Sequence, residues 1–300
     1  MFPPEILRAV AILLAVIGAI FLSLGAQFQN DAVGKNQVSK QVSIGSLSFK
    51  QVLSLLKRPR WLTGTSFLVL AVVFQLGALA LAPLIVVQPI GAIALIITSI
   101  LNARIHKVRL DLRTFLAIGL TMFGVGTFVF FAAFSATQVK MSDGKLLVIV
   151  GILFGLLAIF GALFYFSNGK VGPLNYIFGA GVLYGFVASL AKVVLTRVSQ
   201  GDFDWLTLLA AVALISAAIL GGWFVQNAYA SGPPDLVIAG LTVIDPAVAV
   251  GIGIVILGEA SEAGLLQILG FGVAGAIAAA GVIMLSKVHP ELSKQIESYD

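Results

Sequence analysis

An aspartate and a proline stand side by side inside one of the most apolar stretches of the chain. The stretch is LVIAGLTVIDPAVAVGIGIVIL, residues 236–257, and the pair is Asp245-Pro246. A carboxylate at membrane depth costs roughly 3 kcal/mol or more and normally faces a bundle interior or a water-filled cavity. The proline lacks an N–H and disfavours helix at the residue before it. The pair therefore predicts either the binding site of a carrier with a broken helix or a structural kink whose carboxylate caps its own helix.

Three ionisable side chains are candidates for coupling transport to an ion. Asp245 is the only acid well inside a predicted span, so it could exchange a proton during transport or attract a cationic substrate. Lys192 falls near one end of another span, where snorkelling to the interface is the simpler interpretation. Glu259 follows the Asp245 stretch directly. We expect Lys192 and Asp245 to lie too far apart along the membrane normal to pair.

The composition excludes a soluble globule. The chain has 300 residues, of which 59% are hydrophobic and 10% charged, and its mean hydropathy is +1.08; soluble proteins carry about 25% charged residues. The absence of cysteine excludes disulfides and thiolate sites. No motif for a cofactor, a metal site or an enzyme is found. The net charge of +5 comes from basic residues in loops, so we expect no nucleic-acid partner.

Nine apolar segments are each near the ~20 residues that a bilayer requires. They predict an all-α polytopic membrane protein, with the first segment alternatively read as a signal peptide cleaved after about residue 26. The predicted spans are 6–28, 61–81, 84–105, 112–134, 146–166, 174–195, 206–229, 236–257 and 264–286.

The basic residues predict the orientation of these spans. With nine crossings, the loops at 29–60, 104–113 and 167–172 and the tail after 286 share one side, which holds 13 of the 18 lysines and arginines. Such a bias places that side in the cytoplasm and the amino terminus outside the plasma membrane. The remaining five are Arg8, Lys140, Lys145, Lys192 and Arg197.

Internal similarity predicts an inverted repeat. APLIVVQPIGAIAL (82–95) aligns without a gap to AGLTVIDPAVAVGI (239–252), so that Gln88-Pro89 matches Asp245-Pro246. One span earlier Gln75 matches Gln226, and residues 18–29 loosely match 181–192. The repeats are about 6–134 and 174–286, joined by a connecting span at 146–166. An odd number of crossings separates them, so they run in opposite directions, as in secondary transporters.

Several motifs resemble the drug/metabolite transporter superfamily, in particular its EamA-like and NIPA-type branch and actinobacterial permeases of this type. The motifs are KRPRWLTG (57–64), Gln75 followed by ALALAP (78–83), and IVVQPIGA (85–92). The resemblance implies a transporter, with Mg²⁺ as the substrate in the NIPA-type branch. In EamA-like members each half often closes with Gly-Glu; here Gly258-Glu259 fits in the second half, whereas Leu101-Asn102 stands in the first.

Helical spacing extends one face from Gln88 and another from Asp245, and the two could line one cavity. Small residues on these faces could instead serve close helix packing, which is the interpretation preferred for the glycines and alanines. The faces comprise Gly91, Ala92, Leu95, Ser99 and Asn102 in the first half and Val248, Ala249, Ile252, Ile256 and Glu259 in the second. The predicted substrate or ion pathway comprises Asp245, Pro246, Gln88, Pro89, Gln75, Gln226, Asn227, Tyr184 and Ser99.

Three functions remain open at this stage. The first is a secondary-active transporter of a small metabolite, drug or lipid-type substrate, with proton coupling through Asp245. The second is Mg²⁺ transport, for which one intramembrane acid is a thin ligand set. The third is a non-transporting factor for envelope or lipid assembly, which would use an amphipathic helix at 41–58 on an anionic leaflet. A homodimer is a further possibility.

Overall fold

The structure, a computed structural model, describes residues 3–34, 59–105, 111–166, 172–231 and 234–297. The predicted amphipathic segment at 41–58 and His106 lie outside these residues. Within them the chain forms helices joined by short turns, with no strand.

Ten α-helices and two irregular turns make up the described chain. The irregular turns are a 3₁₀ turn after α3 and a π turn after α9. The elements in order are α1 Pro4–Gly34, α2 Pro59–Leu81, α3 Leu84–Val87, the 3₁₀ turn Gln88–Ala92, α4 Ile93–Ile105, α5 Leu112–Ser135, α6 Asp143–Phe166, α7 Pro173–Gln200, α8 Trp205–Ser231, α9 Pro234–Ile252, the π turn Gly253–Leu257 and α10 Leu265–Glu297.

Nine helical segments of the described chain are long and apolar enough to cross a membrane. They coincide with the nine predicted spans, and α3, the 3₁₀ turn and α4 together form the third. Large apolar side chains such as Phe134, Phe154 and Leu265 are exposed along them, as expected where the solvent is lipid. The prediction of an all-α polytopic membrane protein is confirmed.

Most of the helices pack closely in pairs, and α7 belongs to two of these pairs. Close packing joins α1 to α2, α7 to α8 and to α9, and α5 to α10. Helix α7 is the most buried of the spans. At its end Arg197 is only 2% exposed and forms ion pairs with Asp143 at 2.6 Å and Asp204 at 2.8 Å. This arginine therefore ties the start of α6 and the turn before α8 to α7.

Glycines allow two of these helix pairs to come into backbone contact. A Cβ on Gly124 of α5 would lie 2.4 Å from the backbone nitrogen of Ala278 in α10. A Cβ on Gly185 of α7 would lie 2.7 Å from a side-chain carbon of Val248 in α9. Only glycine permits these distances, so both crossings depend on a missing side chain.

Candidate substrate cavity

A cavity of about 1060 Å³ lies among the helices, and residues of α1, α2, the 3₁₀ turn, α4, α7 and α9 line it. Its volume slightly exceeds the range for pockets that hold drug-sized ligands, ~300–1,000 Å³. Most of its lining is apolar. The polar residues of the lining are Ser23, Gln27, Gln75, Gln88, Thr98, Tyr184, Thr242 and Asp245.

Asp245 and Pro246 both line this cavity, on α9. The helix continues through the proline, which has no N–H to donate to the carbonyl of Thr242 one turn earlier. The Oδ1 atom of Asp245 is buried and accepts no hydrogen bond from the part of the chain that the structure describes. A buried carboxylate oxygen without a donor is costly, so the site favours a proton or a positively charged ligand in the cavity.

Gln88 lines the cavity from the first predicted repeat, at the start of the 3₁₀ turn. Pro89 is the next residue, but it is not part of the lining. One turn further along, Gly91 faces the cavity, and a Cβ there would meet no atom within 4 Å. The interpretation of Gly91 as a packing residue is therefore wrong, because its missing side chain leaves open space.

Tyr184 and Gln75 complete the predicted residues that the cavity brings together. Tyr184 lies on α7 beside α8, where a Cβ on Gly221 would meet its ring at 3.4 Å. It stands between two α7 glycines, Gly181 and Gly185, both packed against α9. This packing holds the tyrosine and the Asp245 segment on adjacent walls.

Four other predicted pathway residues lie away from the lining. Besides Pro89, Ser99 is fully buried and donates to the carbonyl of Leu95 at 2.9 Å. Gln226 is exposed on α8. The Asn227 amide donates to the carbonyl of Trp223 at 2.7 Å. These side chains serve their own helices or face outward and do not line this cavity, and their place in a substrate pathway stays a prediction.

The face predicted from Asp245 runs in the wrong direction. The cavity follows α9 back from Asp245 through Thr242, Leu241 and Ile238. Beyond Asp245 the same helical stripe is packed, because Val248 lies against Gly185 of α7. The sequence spacing identifies the stripe, but only the position of α7 decides which half of it remains open.

Three lining residues that the sequence interpretation missed are short hydroxyl side chains. Ser23 on α1 donates to the carbonyl of Ala94 at 2.7 Å and so joins α1 to α4. Thr98 and Thr242 each donate to a carbonyl one turn earlier in their own helix. Thr242 stands three residues before Asp245, and this helical spacing was the available signal.

Lys192 does not snorkel. Its side chain is 7% exposed, and its Nζ donates to the carbonyls of Leu79 at 2.6 Å and Ala82 at 2.9 Å. Glu259 is 2% exposed and accepts from the N–H groups of Leu84 at 2.9 Å and Ile85 at 3.0 Å. Neither residue lines the large cavity. Together they bind both sides of the break between α2 and α3.

Comparison with known proteins identifies the family. The model of the family described as magnesium transporter NIPA matches residues 7–166, about half of the chain. The chain belongs to the NIPA family. An uncharacterized protein of Corynebacterium glutamicum is 27% identical over 248 residues, which cover 81% of this chain and 84% of the relative. No solved structure matches the chain.

The match to the NIPA family indicates a membrane transporter. The matched residues, 7–166, include some of the residues that line the cavity but not all of them. Gln75, Gln88 and Gly91 fall inside residues 7–166, whereas Tyr184 and Asp245 fall beyond them. Within the described residues no group of three or more His, Cys, Asp or Glu side chains could hold a metal ion. Asp245 is the one acid among the described residues that line the cavity, so any metal held there by these residues would keep most of its ligands as water.

Proposed function

We propose that the protein is a secondary-active transporter that moves a small substrate across the membrane by alternating access, with Asp245 binding the substrate or a coupling proton. The observation that carries this proposal is the large cavity with one carboxylate, whose Oδ1 has no hydrogen-bond donor within the described chain. Such a group in a transporter normally marks the substrate or ion pathway.

The lining indicates the kind of substrate. Of the 26 described residues that line the cavity, 18 are apolar or glycine, and Asp245 is the only charged one among them. A small metabolite, drug or lipid-type molecule with an apolar body fits these walls. A positive charge on that molecule would supply the missing partner of Asp245; a neutral substrate would require a proton there instead.

The helix contacts support a rocking mechanism between two inverted repeats. The first two helices of each predicted repeat pack together, α1 with α2 and α7 with α8. The fourth helices, α5 and α10, pack across the predicted repeat boundary, and so do the third, since α9 contacts α3 and the 3₁₀ turn. Inverted repeats related by a two-fold axis would produce this set of contacts.

Most of the few basic residues on the proposed outer side have partners within the protein. Arg8, Lys145 and Lys192 donate to backbone carbonyls, and Arg197 pairs with two aspartates. Their positions therefore have structural causes, which leaves the cytoplasmic excess of lysine and arginine as the signal for orientation. We propose a plasma-membrane protein with its amino terminus outside.

Mg²⁺ is the second candidate substrate, and the family match favours it. Mg²⁺ retains several waters and binds through one or two carboxylates, so a hydrated ion at Asp245 is compatible with the cavity. The apolar lining favours the organic substrate.

Single cysteines offer a test that does not require the substrate, because the chain has none of its own. We expect Gly91→Cys, in the open cavity, to react with a membrane-impermeant maleimide from one face of the membrane. Ala249→Cys, at a position that is 0% exposed, is the matched control and should remain unlabelled. Equal protection of both cysteines from both faces would refute an aqueous substrate cavity.

Proteoliposomes then distinguish the two substrates. With a Mg²⁺-sensitive dye inside, Mg²⁺ uptake that Asp245→Asn abolishes would identify Mg²⁺ as the substrate. With a pH-sensitive dye inside and a mixture of lipophilic amines outside, a proton flux that Asp245→Asn abolishes would support the organic substrate. Glu262→Gln, at an exposed acid, should behave as the unmodified protein in both assays.

A further inference from the structure

The break between α2 and α3 leaves backbone groups of two helix ends without helical partners. Helix α2 ends at Leu81, and α3 begins at Leu84 after Pro83. Each helix end has up to four such groups, which need other partners when they are buried. Ala82 and Leu84 are both 0% exposed, so water does not satisfy them.

Two buried charges from the second half of the chain satisfy these helix ends. Lys192 donates to the carbonyls at the end of α2, and Glu259 accepts from the first two N–H groups of α3. A cation at a helix C-terminus and an anion at an N-terminus both match the helix dipole. Because both charges are buried, their hydrogen bonds are stronger than they would be in water.

A local structure in the chain positions Glu259 for this contact. Gly258 has φ +75°, which favours glycine, and reverses the chain after the π turn. The Glu259 N–H donates to the carbonyl of Gly253 at 2.9 Å, and its own carbonyl accepts from the Thr137 N–H at 2.8 Å. The backbone is thus held on both sides of the carboxylate, so the cap is preorganised.

The residues of the two caps line a second, smaller cavity. Leu79 and Ala191 line the large cavity. Their neighbours Ala80 and Lys192, together with Glu259, line a cavity of about 50 Å³. Residues of α2 and α7 therefore line both spaces, and Lys192 and Glu259 belong to the lining of the smaller one.

Further contacts fasten the same end of the bundle. The Gln138 amide donates to the carbonyl of Leu81 at 2.5 Å, and Lys145 Nζ to that of Leu257 at 2.6 Å. Arg8 donates to the carbonyls of Ala133 and Ala136 at the end of α5. Each of these contacts joins a charged or amide side chain to a helix end, so this end is held shut by polar contacts with the backbone.

We infer that Lys192 and Glu259 form a gate at this end of the transporter, and that release of their two caps joins the small cavity to the large one. The gate rests on the proposed alternating-access function. The caps belong to the second predicted repeat and the helix ends to the first, so rocking of the repeats must break them. Closing the opposite end must then remake them.

Cysteine labelling tests the gate in the Gly91→Cys protein. A membrane-impermeant maleimide is applied to the face of the membrane where Lys192 and Glu259 lie. We expect Lys192→Met and Glu259→Gln each to raise the labelling rate from that face at least tenfold, because each lost cap favours the open state. Lys192→Arg retains the donors and should keep the slow rate.

Exposed residues at the same end provide matched controls. Lys140→Met removes an exposed lysine and Glu262→Gln an exposed acid, and both should leave the rate unchanged. Should Lys192→Met fail to fold, Glu259→Gln is the variant that tests the gate. Its side chain keeps one of the two oxygens that accept the N–H groups of α3, so it is expected to disturb folding less.

The outcomes separate the gate from the transport proposal. Labelling of Gly91→Cys from the opposite face only, unchanged by either gate variant, would overturn the gate and leave the cavity intact. Labelling from neither face in any variant would overturn both. If Lys140→Met raised the labelling rate of Gly91→Cys as much as Lys192→Met does, the loss of a positive charge near the surface would explain both results. That outcome would also overturn the gate.

Discussion

The contact between α5 and α10 gives a prediction whose magnitude follows from the geometry. A Cβ on Gly124 would lie 2.4 Å from the backbone nitrogen of Ala278, about 1 Å short of the 3.4 Å at which ordinary contact begins. Backbone atoms cannot rotate away as a side chain can, so Gly124→Ala must displace α10. Overpacking of this kind costs ~1–3 kcal/mol.

Gly126 is the matched control on the same helix. It is exposed, and a Cβ there would meet no atom within 4 Å. Gly126→Ala should therefore show only the helix-propensity gain of alanine over glycine, up to ~1 kcal/mol. Each variant adds one methyl group, two residues apart on the same helix, and each gains the same helix propensity, so their unfolding free energies should differ by the overpacking cost alone, about 1–3 kcal/mol.

Equilibrium unfolding in mixed detergent micelles, followed by tryptophan fluorescence, measures this difference. Gly281→Ala on α10 repeats the test from the other side, since a Cβ there would lie 2.5 Å from the Thr121 nitrogen. One displacement of α10 relieves both clashes, so the double variant Gly124→Ala/Gly281→Ala should lose less than the sum of the single losses. Equal stability of Gly124→Ala and Gly126→Ala would refute the close packing of these helices.

Three other changes have definite expected results. Lys192→Met should lower the unfolding free energy by roughly 1.5–3 kcal/mol for each hydrogen bond lost, and Lys140→Met by less than ~0.5 kcal/mol; equal losses in a thermal assay would contradict the cap. Gly185→Ala should lower the unfolding free energy by ~1–3 kcal/mol, because α9 must move away from α7; a stability equal to that of the unmodified protein would count against that packing. Hydrogen bonds, first from the Thr207 N–H, hold the pKa of Asp204 below its ordinary value of 3.8. The carboxylate therefore stabilises the fold above pH 3.8, and this contribution is lost as the pH falls through the lower pKa of the folded state. Asp204→Asn should flatten this part of the curve of stability against pH, and an unchanged curve would contradict the pKa shift.

The fold could be predicted from the sequence because hydrophobic length alone determines a membrane span. The nine predicted segments match the candidate spans within a few residues at most ends. The largest differences are the extensions of α1 to Gly34 and α10 to Glu297. These extensions carry polar residues beyond the apolar core, where hydropathy has no signal for helix.

The candidate site could be predicted only in part. Asp245 and Gln88 were identifiable, because a polar residue beside proline in an apolar span is rare and expensive. The sequence could not show that Pro89, Gln226 and Asn227 lie away from this cavity, because side-chain direction depends on how each helix is rotated against its neighbours. Packing across α7 and α8 sets that rotation, and no local pattern reports it.

Lys192 shows why the partners of buried charges were the least predictable feature. A lysine near the end of an apolar span has the same local sequence whether it snorkels to the interface or caps another helix. Its actual partners, the carbonyls of Leu79 and Ala82, lie 113 and 110 residues away in the chain. Only the tertiary arrangement distinguishes the two cases.

The Gly258-Glu259 pair now has a physical explanation that its resemblance to a family motif did not supply. The glycine provides the positive φ that ends the π turn, and the glutamate satisfies two N–H groups across the gate. In the first half Leu101-Asn102 stands where the predicted repeat would place the same pair, so Glu259 has no acidic counterpart at that position. An alternating-access protein built from these halves would have a strong gate at one end and a weaker one at the other. Its resting state should therefore be closed where Glu259 lies, which is the state that one-sided labelling of Gly91→Cys would report.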